Sequence, residues 1–278
     1  MTKRPELTTP ERELAYSKYY DLPMTQIPEQ TLQILMNGPV DASLALPIEQ
    51  RSDLLEPGYL NCEIGYCVMP DGSGFVANRT IFPKCTVEMF EWWFAWHALE
   101  DLRYRIWDPE DHVYARQQNR GKALDQNLPM RERTWGTVHY VREDVGGGPE
   151  DIILNFRYPE ELGYVQERVG TKDCASMMCA NGHGTRPGEG APAIMTHMIR
   201  TLGDGFELRS RFWMGYGLDS GGLKKLLPEG VFVPLEAVKG LFAHNLKEFS
   251  HLAAILPQLY GEEKDNWYRT NASNMNNL

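Results

Sequence analysis

A long amphipathic segment near the end of the chain, Glu236 to Tyr260, limits the possible folds more than any other feature. Its apolar residues recur at helical spacing, which predicts a helix with one face against a core. These residues are Val238, Phe242, Phe249, Ala253, Leu256 and Tyr260. Beside them, His244 and Glu248 are four residues apart, so a helix places both side chains on one face. An imidazole and a carboxylate in that arrangement can bind one divalent cation, and the rest of the chain has to supply the other ligands.

Composition excludes several classes of protein. The chain has 278 residues, 42% of them hydrophobic and 24% charged, as in soluble globular proteins of one large or two smaller domains. A net charge of -10 and the lack of a basic cluster argue against a nucleic-acid partner. The first residues lack an apolar signal region, and no stretch approaches the ~18 apolar residues of a membrane span. We therefore expect a cytoplasmic protein without a membrane partner.

Cysteine usage narrows the possible metal ligands. The five cysteines are an odd number and form no C-x-x-C pair. Neither a disulfide framework nor a thiolate zinc site is expected from this pattern. Any metal ion would therefore be held by histidine and carboxylate side chains.

The first hundred residues predict a polar layer followed by a hairpin and an aromatic helix. Residues 1–57 are polar and rich in proline, with one short helix predicted at 28–36. Residues 59–81 alternate as two strands around Asp71-Gly72, which predicts a hairpin. Thr86 can cap a helix that continues to Tyr104 and carries several tryptophans. That helix is either buried in the core or lines a cavity for aromatic ligands.

The middle of the chain predicts an antiparallel sheet. Residues 105–133 and 160–190 are interpreted as loop-rich or irregular. Between them, 134–143 and 152–158 form a predicted antiparallel pair, with His139 and Glu143 on one face of the first strand. Residues 193–198 and 207–216 are further predicted strands. We therefore predict an α+β fold, in which a curved antiparallel sheet grips the C-terminal helix around a cavity. The predicted division is a small N-terminal subdomain, 1–84, and a catalytic domain, 85–278.

Spacing alone does not select the remaining ligands. His112 and Glu143 are candidates because each is placed where the backbone can aim a side chain into the mouth of a cavity. His139 is a rival on the same strand face as Glu143, and His251 continues the helical row as a ligand, a neighbouring group or a surface residue. The alternative for the helical pair is a plain hydrogen bond on a solvated face. A set of two histidines and two carboxylates suits zinc, iron or manganese.

Three stretches resemble a known family of enzymes. They are MFEWWFAWHALEDLRYRIWDPEDH (residues 89–112), the strand that ends at Glu143, and HNLKE (residues 244–248). They resemble the 2,4-diacetylphloroglucinol hydrolase and phloretin hydrolase family, over roughly residues 59–260. The resemblance implies a zinc-dependent hydrolase that cuts the carbon–carbon bond between an acyl group and a phloroglucinol ring. It also implies a catalytic domain similar to the Bet v 1 helix-grip fold.

The resemblance implies roles for particular residues. The metal ligands would be His112, Glu143, His244 and Glu248, holding one Zn²⁺ per chain. Tyr104 would bond a ring hydroxyl or carbonyl of the substrate, and His197 would be a polar catalytic group in the cavity.

Aromatic side chains are expected to contact the substrate. Trp93, Trp107 and Phe212 can form walls for a flat polyphenol, and Tyr216 is the nearest match to a tyrosine with which the family contacts its substrate. The family's diacetylphloroglucinol enzymes carry an asparagine where this chain has Ala115. That departure favours phloretin or a related acylphloroglucinol as the substrate.

Three other functions remain open. One is the hydrolysis of 2,4-diacetylphloroglucinol itself. Another is a non-catalytic carrier of aromatic ligands, because fold alone does not settle function. The third is a metal-free enzyme of the polyketide cyclase type. A homodimer is the expected assembly, because homodimers are common.

Overall fold

The protein is described by a computed structural model that covers residues 4–185 and 190–268. The α-helices are α1 (Thr9–Arg12), α2 (Glu29–Asn37), α3 (Val87–Trp96), α4 (Asp101–Arg105), α5 (Arg120–Leu124) and α6 (Leu235–Glu263). The strands are β1 (Gly65–Val68), β2 (Gly74–Phe82), β3 (His112–Gln117), β4 (Val138–Asp144), β5 (Pro149–Arg157), β6 (Ser176–Gly184), β7 (Ala193–Leu202), β8 (Gly205–Met214), β9 (Tyr216–Asp219) and β10 (Gly222–Lys225). No helix in these ranges combines the length and the apolar character that crossing a bilayer requires.

Eight strands form one antiparallel sheet in the order β1-β2-β8-β7-β6-β5-β4-β3. The predicted hairpin is confirmed as β1 and β2, and Gly72 in its turn has a φ of +90°, which favours glycine. The predicted pair around the Gly-rich turn is confirmed as β4 and β5. Strands β9 and β10 form a separate two-stranded hairpin.

The sheet curves around α6. On the edge strand β1, Tyr66 packs on Phe242 of the helix, with ring centroids 5.1 Å apart. On the opposite edge strand β3, the ring of His112 lies 5.3 Å from that of His244 on the same helix. Because both edges of the sheet contact one helix, the strands between them must bend around it. The predicted α+β fold, with a sheet that grips a C-terminal helix, is confirmed.

The two faces of the sheet bury different layers. On β8, Phe212 belongs to the core between the sheet and α6, whereas the next residue, Trp213, belongs to the core on the outer face. There the indole N–H of Trp213 donates to the carbonyl of Leu46 at 2.8 Å. Residues 45–55 therefore cover the outer face, whereas Tyr16, Tyr19 and Tyr20 belong to the core beside α6. The sheet itself extends across the domain boundary predicted at residue 84, because β2 pairs with β8 along its full length.

Two strands lie in regions that were predicted as loops. Strand β3 lies within 105–133, and β6 lies within 160–190. The β6 sequence, SMMCANGHG, lacks alternation because most of the strand is buried on both faces between β5 and β7. Its glycines favour a loop locally, and pairing with two neighbours overrides that preference. Residues 186–189 of the predicted loop lie outside the described residues.

Candidate active site

Four carboxylate and imidazole side chains meet between the sheet and α6. The Nε2 atom of His112 lies 3.6 Å from Glu143 Oε2 and 3.7 Å from Glu248 Oε2. The Nε2 atom of His244 lies 4.0 Å and 3.9 Å from the same two oxygens. His112 and Glu143 are directly opposite each other in the pairing of β3 with β4, and His244 and Glu248 are one turn apart on α6. The structure thus brings the four predicted ligands together.

A close backbone contact sets the distance between the two halves of this cluster. The loop after β4 lies directly against α6, where a Cβ on Gly146 would be 2.8 Å from the Cα of Gly240. Gly146 also has a φ of +105°, which side chains with a Cβ rarely adopt. Glu143 precedes this contact on the strand, and His244 follows it by one helical turn. Two glycines therefore allow the candidate ligand on the strand to approach the two candidate ligands on the helix.

Replacing Gly240 with alanine is expected to weaken the cluster. A methyl group there would overlap the carbonyl oxygen of Val145, so the loop or the helix must shift. We expect a loss of about 1–3 kcal/mol in the free energy of unfolding, measured by urea denaturation, as for overpacked cores. Gly261→Ala on the same helix is the control, because its Cβ would meet nothing within 4 Å. Equal stability of G240A and G261A would show that the contact between the loop and the helix tolerates a methyl group.

The donor set fits a divalent metal ion. His112 Nδ1 lies 3.1 Å from the carbonyl oxygen of Tyr104, which can only accept, so Nδ1 carries the hydrogen and Nε2 the lone pair. That Nε2 atom is buried and has no hydrogen-bond partner among the residues that the structure describes. Donor atoms of a tetrahedral zinc site are about 3.3–3.6 Å apart. Separations of 3.6–4.0 Å between the histidine and carboxylate atoms are only slightly wider.

The electrostatics of the cluster also favour a cation. Burial and the nearby His244 hold the pKa of His112 well below its usual range, so His112 is neutral. Burial raises the pKa of Glu248, and the neighbouring Glu143 carboxylate adds to this effect. Burial disfavours the charged form of His244, but hydrogen bonding to Asp111 and the nearby carboxylates raise its pKa to about 10. Positive charge is thus stabilised at this point, as a divalent cation bound there would be.

Tyr104 lies directly beside the candidate ligands. Its hydroxyl donates to Glu143, and its ring stacks on His112 with centroids 3.9 Å apart. Burial and the Glu143 carboxylate raise the pKa of Tyr104 well above its usual value, so the phenol stays protonated. Tyr104 is therefore placed as a proton donor at the edge of the cluster.

His197 lies on β7, on the other side of an aromatic ring from the cluster. The centroid of the Phe249 ring is 4.9 Å from that of His197 and 5.1 Å from that of Trp107. The centroid of the Trp107 ring is in turn 5.1 Å from that of His112. The Nδ1 atom of His197 is 2.8 Å from Ser210 Oγ, and burial lowers the pKa of the ring to about 3. His197 is a neutral, oriented imidazole inside the aromatic core.

The four predicted substrate contacts differ in position. Trp107 donates from its indole to the carbonyl of Glu248 at 3.0 Å, and Phe212 lies 5.6 Å from His197. Trp93 is fully buried and stacks on His97. Tyr216 lies on β9, outside the main sheet, and its hydroxyl donates to Asp71 at 3.0 Å. Trp107 therefore lies beside His112 and Phe212 beside His197, whereas the hydroxyl of Tyr216 contacts Asp71.

The two rival histidines have other partners. The ring of His139 lies 5.7 Å from that of His97, and its Nε2 is 3.2 Å from Thr137 Oγ1. His251 contacts Thr25 through Nδ1 at 3.2 Å. Both contacts lead away from the carboxylates that the other two histidines share.

Several residues near the ligands were missed by the sequence analysis. The amide of Asn245 donates to Glu248 Oε1 at 3.1 Å and accepts from Asn78 at 2.8 Å, which turns the other oxygen of Glu248 toward the histidines. Asp111 and Lys247 contact each other beside His244. The available signal was adjacency, since all three residues are next to a ligand in the sequence, but adjacency does not show which way a side chain points.

Comparison with known proteins identifies the family to which the chain belongs. The family model described as the DAPG hydrolase PhiG domain matches residues 46–261. The chain belongs to the DAPG hydrolase family. The chain is 44% identical to the phloretin hydrolase of Eubacterium ramulus over 260 residues, which cover 92% of each protein. The 2,4-diacetylphloroglucinol hydrolase of Pseudomonas protegens is 33% identical over 267 residues, covering 90% of this chain and 85% of that protein. As a member of the DAPG hydrolase family, the protein is a hydrolase.

Proposed function

We propose that this protein hydrolyses the carbon–carbon bond between the acyl group and the ring of phloretin or a related acylphloroglucinol. One observation carries the proposal. In a chain that is 44% identical to a phloretin hydrolase, two histidines and two carboxylates from three separate elements meet beside a protonated tyrosine. The greater identity to that relative than to the diacetylphloroglucinol hydrolases favours phloretin as the substrate.

The ligands of the proposed metal ion are His112, Glu143, His244 and Glu248. Zinc suits two imidazoles and two carboxylates, and iron or manganese suits the same donors. When bound, the ion supplies polarisation of the ketone and a lowered pKa for a water molecule.

The chemistry of the substrate explains why a proton donor is needed. Breaking an aryl–acyl bond directly would release an aryl carbanion, which is a very poor leaving group. The hydroxyls of a phloroglucinol ring make the ring carbon basic, so a proton can add there. Water adds its oxygen to the acyl carbon, the electrons of the carbon–carbon bond return to the protonated ring, and the products are phloroglucinol and a carboxylic acid. One water is consumed for each bond that is cleaved.

Two polar residues of the chain are suited to act on the substrate. Tyr104 keeps its proton because burial and Glu143 oppose ionisation, and it lies where a ring bound against Trp107 would be close. His197 is neutral, and in the tautomer in which Nδ1 donates to Ser210 its Nε2 atom can accept a hydrogen bond from a substrate hydroxyl. We assign Tyr104 as the general acid, which regains its proton from the water that is consumed, and His197 as a hydrogen-bond acceptor for the substrate. The rings of Trp107 and Phe212 would orient a flat polyphenol between them.

Product analysis tests the reaction. Metal-replete protein is incubated with phloretin and, separately, with 2,4-diacetylphloroglucinol, and the products are identified by mass. We expect phloroglucinol and phloretate from phloretin, at a higher kcat/KM than for the diacetyl compound. Cleavage of an ester analogue alone would contradict the proposed carbon–carbon hydrolysis.

A metal-depleted sample in the same assay separates the rival functions. After treatment with a strong chelator, we expect turnover to be lost and to return when zinc is added. Turnover that survives full depletion would favour a metal-free enzyme of the cyclase type. Binding of phloretin without any product would favour a carrier.

A further inference from the structure

A second group of charged residues lies against the outer side of His244. The ammonium of Lys247 is 3.1 Å from Asp108 Oδ2 and 3.6 Å from Glu110 Oε2, and it pairs closely with Asp111. Asp108 is completely buried. One oxygen of Asp111 also lies 3.4 Å from His244 Nδ1. A single carboxylate thus contacts both the lysine and a candidate metal ligand.

This contact decides which nitrogen of His244 faces the other ligands. A carboxylate accepts hydrogen bonds, so Nδ1 of His244 carries the hydrogen that points to Asp111. The Nε2 atom is then the one that faces Glu143 and Glu248, at 4.0 Å and 3.9 Å. His112 reaches the same arrangement through the carbonyl of Tyr104. Both histidines therefore direct Nε2 toward the carboxylates, His112 through a backbone carbonyl and His244 through Asp111.

Lys247 prevents a competing arrangement. Donor atoms of Asp108, Asp111 and His244 lie within 4.8 Å of one another, which is a set that could itself attract a cation. The ammonium of Lys247 already supplies the positive charge for both aspartates. His244 is consequently left to bind on the Glu143 side.

We propose that Asp111, held in place by Lys247, is the positioning residue of His244 and fixes Nε2 toward the metal site. The proposal rests on the proposed function only in requiring that the protein binds a divalent metal. Asp111 touches no substrate in this scheme and acts entirely through His244. Groups that orient a metal-binding histidine in this way typically change metal affinity by about 10–100-fold when they are removed.

The test measures metal affinity without substrate. The Kd for Zn²⁺ is determined by competition with a chromophoric chelator at one fixed pH. We expect D111A to weaken binding by about 10–100-fold. D111N, which keeps an acceptor but loses the charge, should lie between D111A and the unmodified protein. K247M should weaken binding, and K247R should restore most of the affinity.

A matched control and a spectrum separate positioning from general damage. Asp101 forms an exposed ion pair with Arg116, so D101A should leave the Kd unchanged. At saturating Co²⁺, D111A should alter the visible absorption bands of the bound ion, and D101A should not. A Kd for D111A within about twofold of the unmodified protein, far below the usual effect of such groups, overturns the proposal. If the unmodified protein binds no divalent metal, the proposed function and this inference fail together.

Discussion

His244→Ala is expected to abolish metal binding and hydrolysis together. The substitution removes one of the four proposed ligands and leaves the buried Glu248 facing a cavity instead of an imidazole. Removing a group that merely orients a ligand costs about 10–100-fold in affinity or activity, so the loss of the ligand itself should exceed about a hundredfold. The metal content of the purified variant, by elemental analysis, and its kcat with phloretin measure the two effects.

His251→Ala is the matched control for this experiment. His251 lies on the same helix, is also buried and contacts Thr25 rather than the carboxylates. We expect H251A to keep its metal and most of its turnover, even if its free energy of unfolding falls. Full metal content and full activity in H244A would remove His244 from the ligand set.

Tyr104→Phe is expected to keep the metal and lower kcat by about 10²–10⁴-fold, the range for loss of a general acid. The phenol is the group that is lost, whereas the ring that stacks on His112 remains. Glu143 also loses a hydrogen-bond donor, which should leave it free to bind the ion. Metal content and single-turnover rates with phloretin distinguish a chemical defect from a binding defect.

Tyr164→Phe controls for the loss of a buried hydroxyl. Tyr164 is buried on the outer face of the sheet, where its hydroxyl is 3.0 Å from Thr196 Oγ1. The substitution should cost stability and leave kcat unchanged. If Y104F and Y164F had equal rates, Tyr104 would have no part in the proton transfer.

Local patterns were sufficient wherever a residue's surroundings come from its own segment. The period of apolar residues predicted α6, and it placed His244 and Glu248 on one face because helical geometry is local. Thr86 was predicted to cap a helix that continues to Tyr104; its side chain accepts from the backbone of Met89, but α3 ends at Trp96. The hairpin around Gly72 followed from the alternation of its two strands and from turn chemistry.

Long-range pairing was not accessible in the same way. His112 was placed in a loop, although it begins β3 and pairs with Glu143 across thirty other residues. Strand β6 was hidden because a strand buried on both faces loses its alternation. Family resemblance, rather than spacing, singled out His112 and Glu143 from the other candidates.

The sequence by itself determined the C-terminal helix, the placement of His244 and Glu248 on one of its faces and the α+β class, because these follow from periodicity and from the order of the predicted elements. Tertiary structure alone decided that β3 lies opposite β4, that Gly146 rests on Gly240, and that Asp111 and Lys247 hold the outer nitrogen of His244. The reason is physical. The direction of a side chain depends on which distant backbone segments pack against it, and that packing is a property of the whole fold.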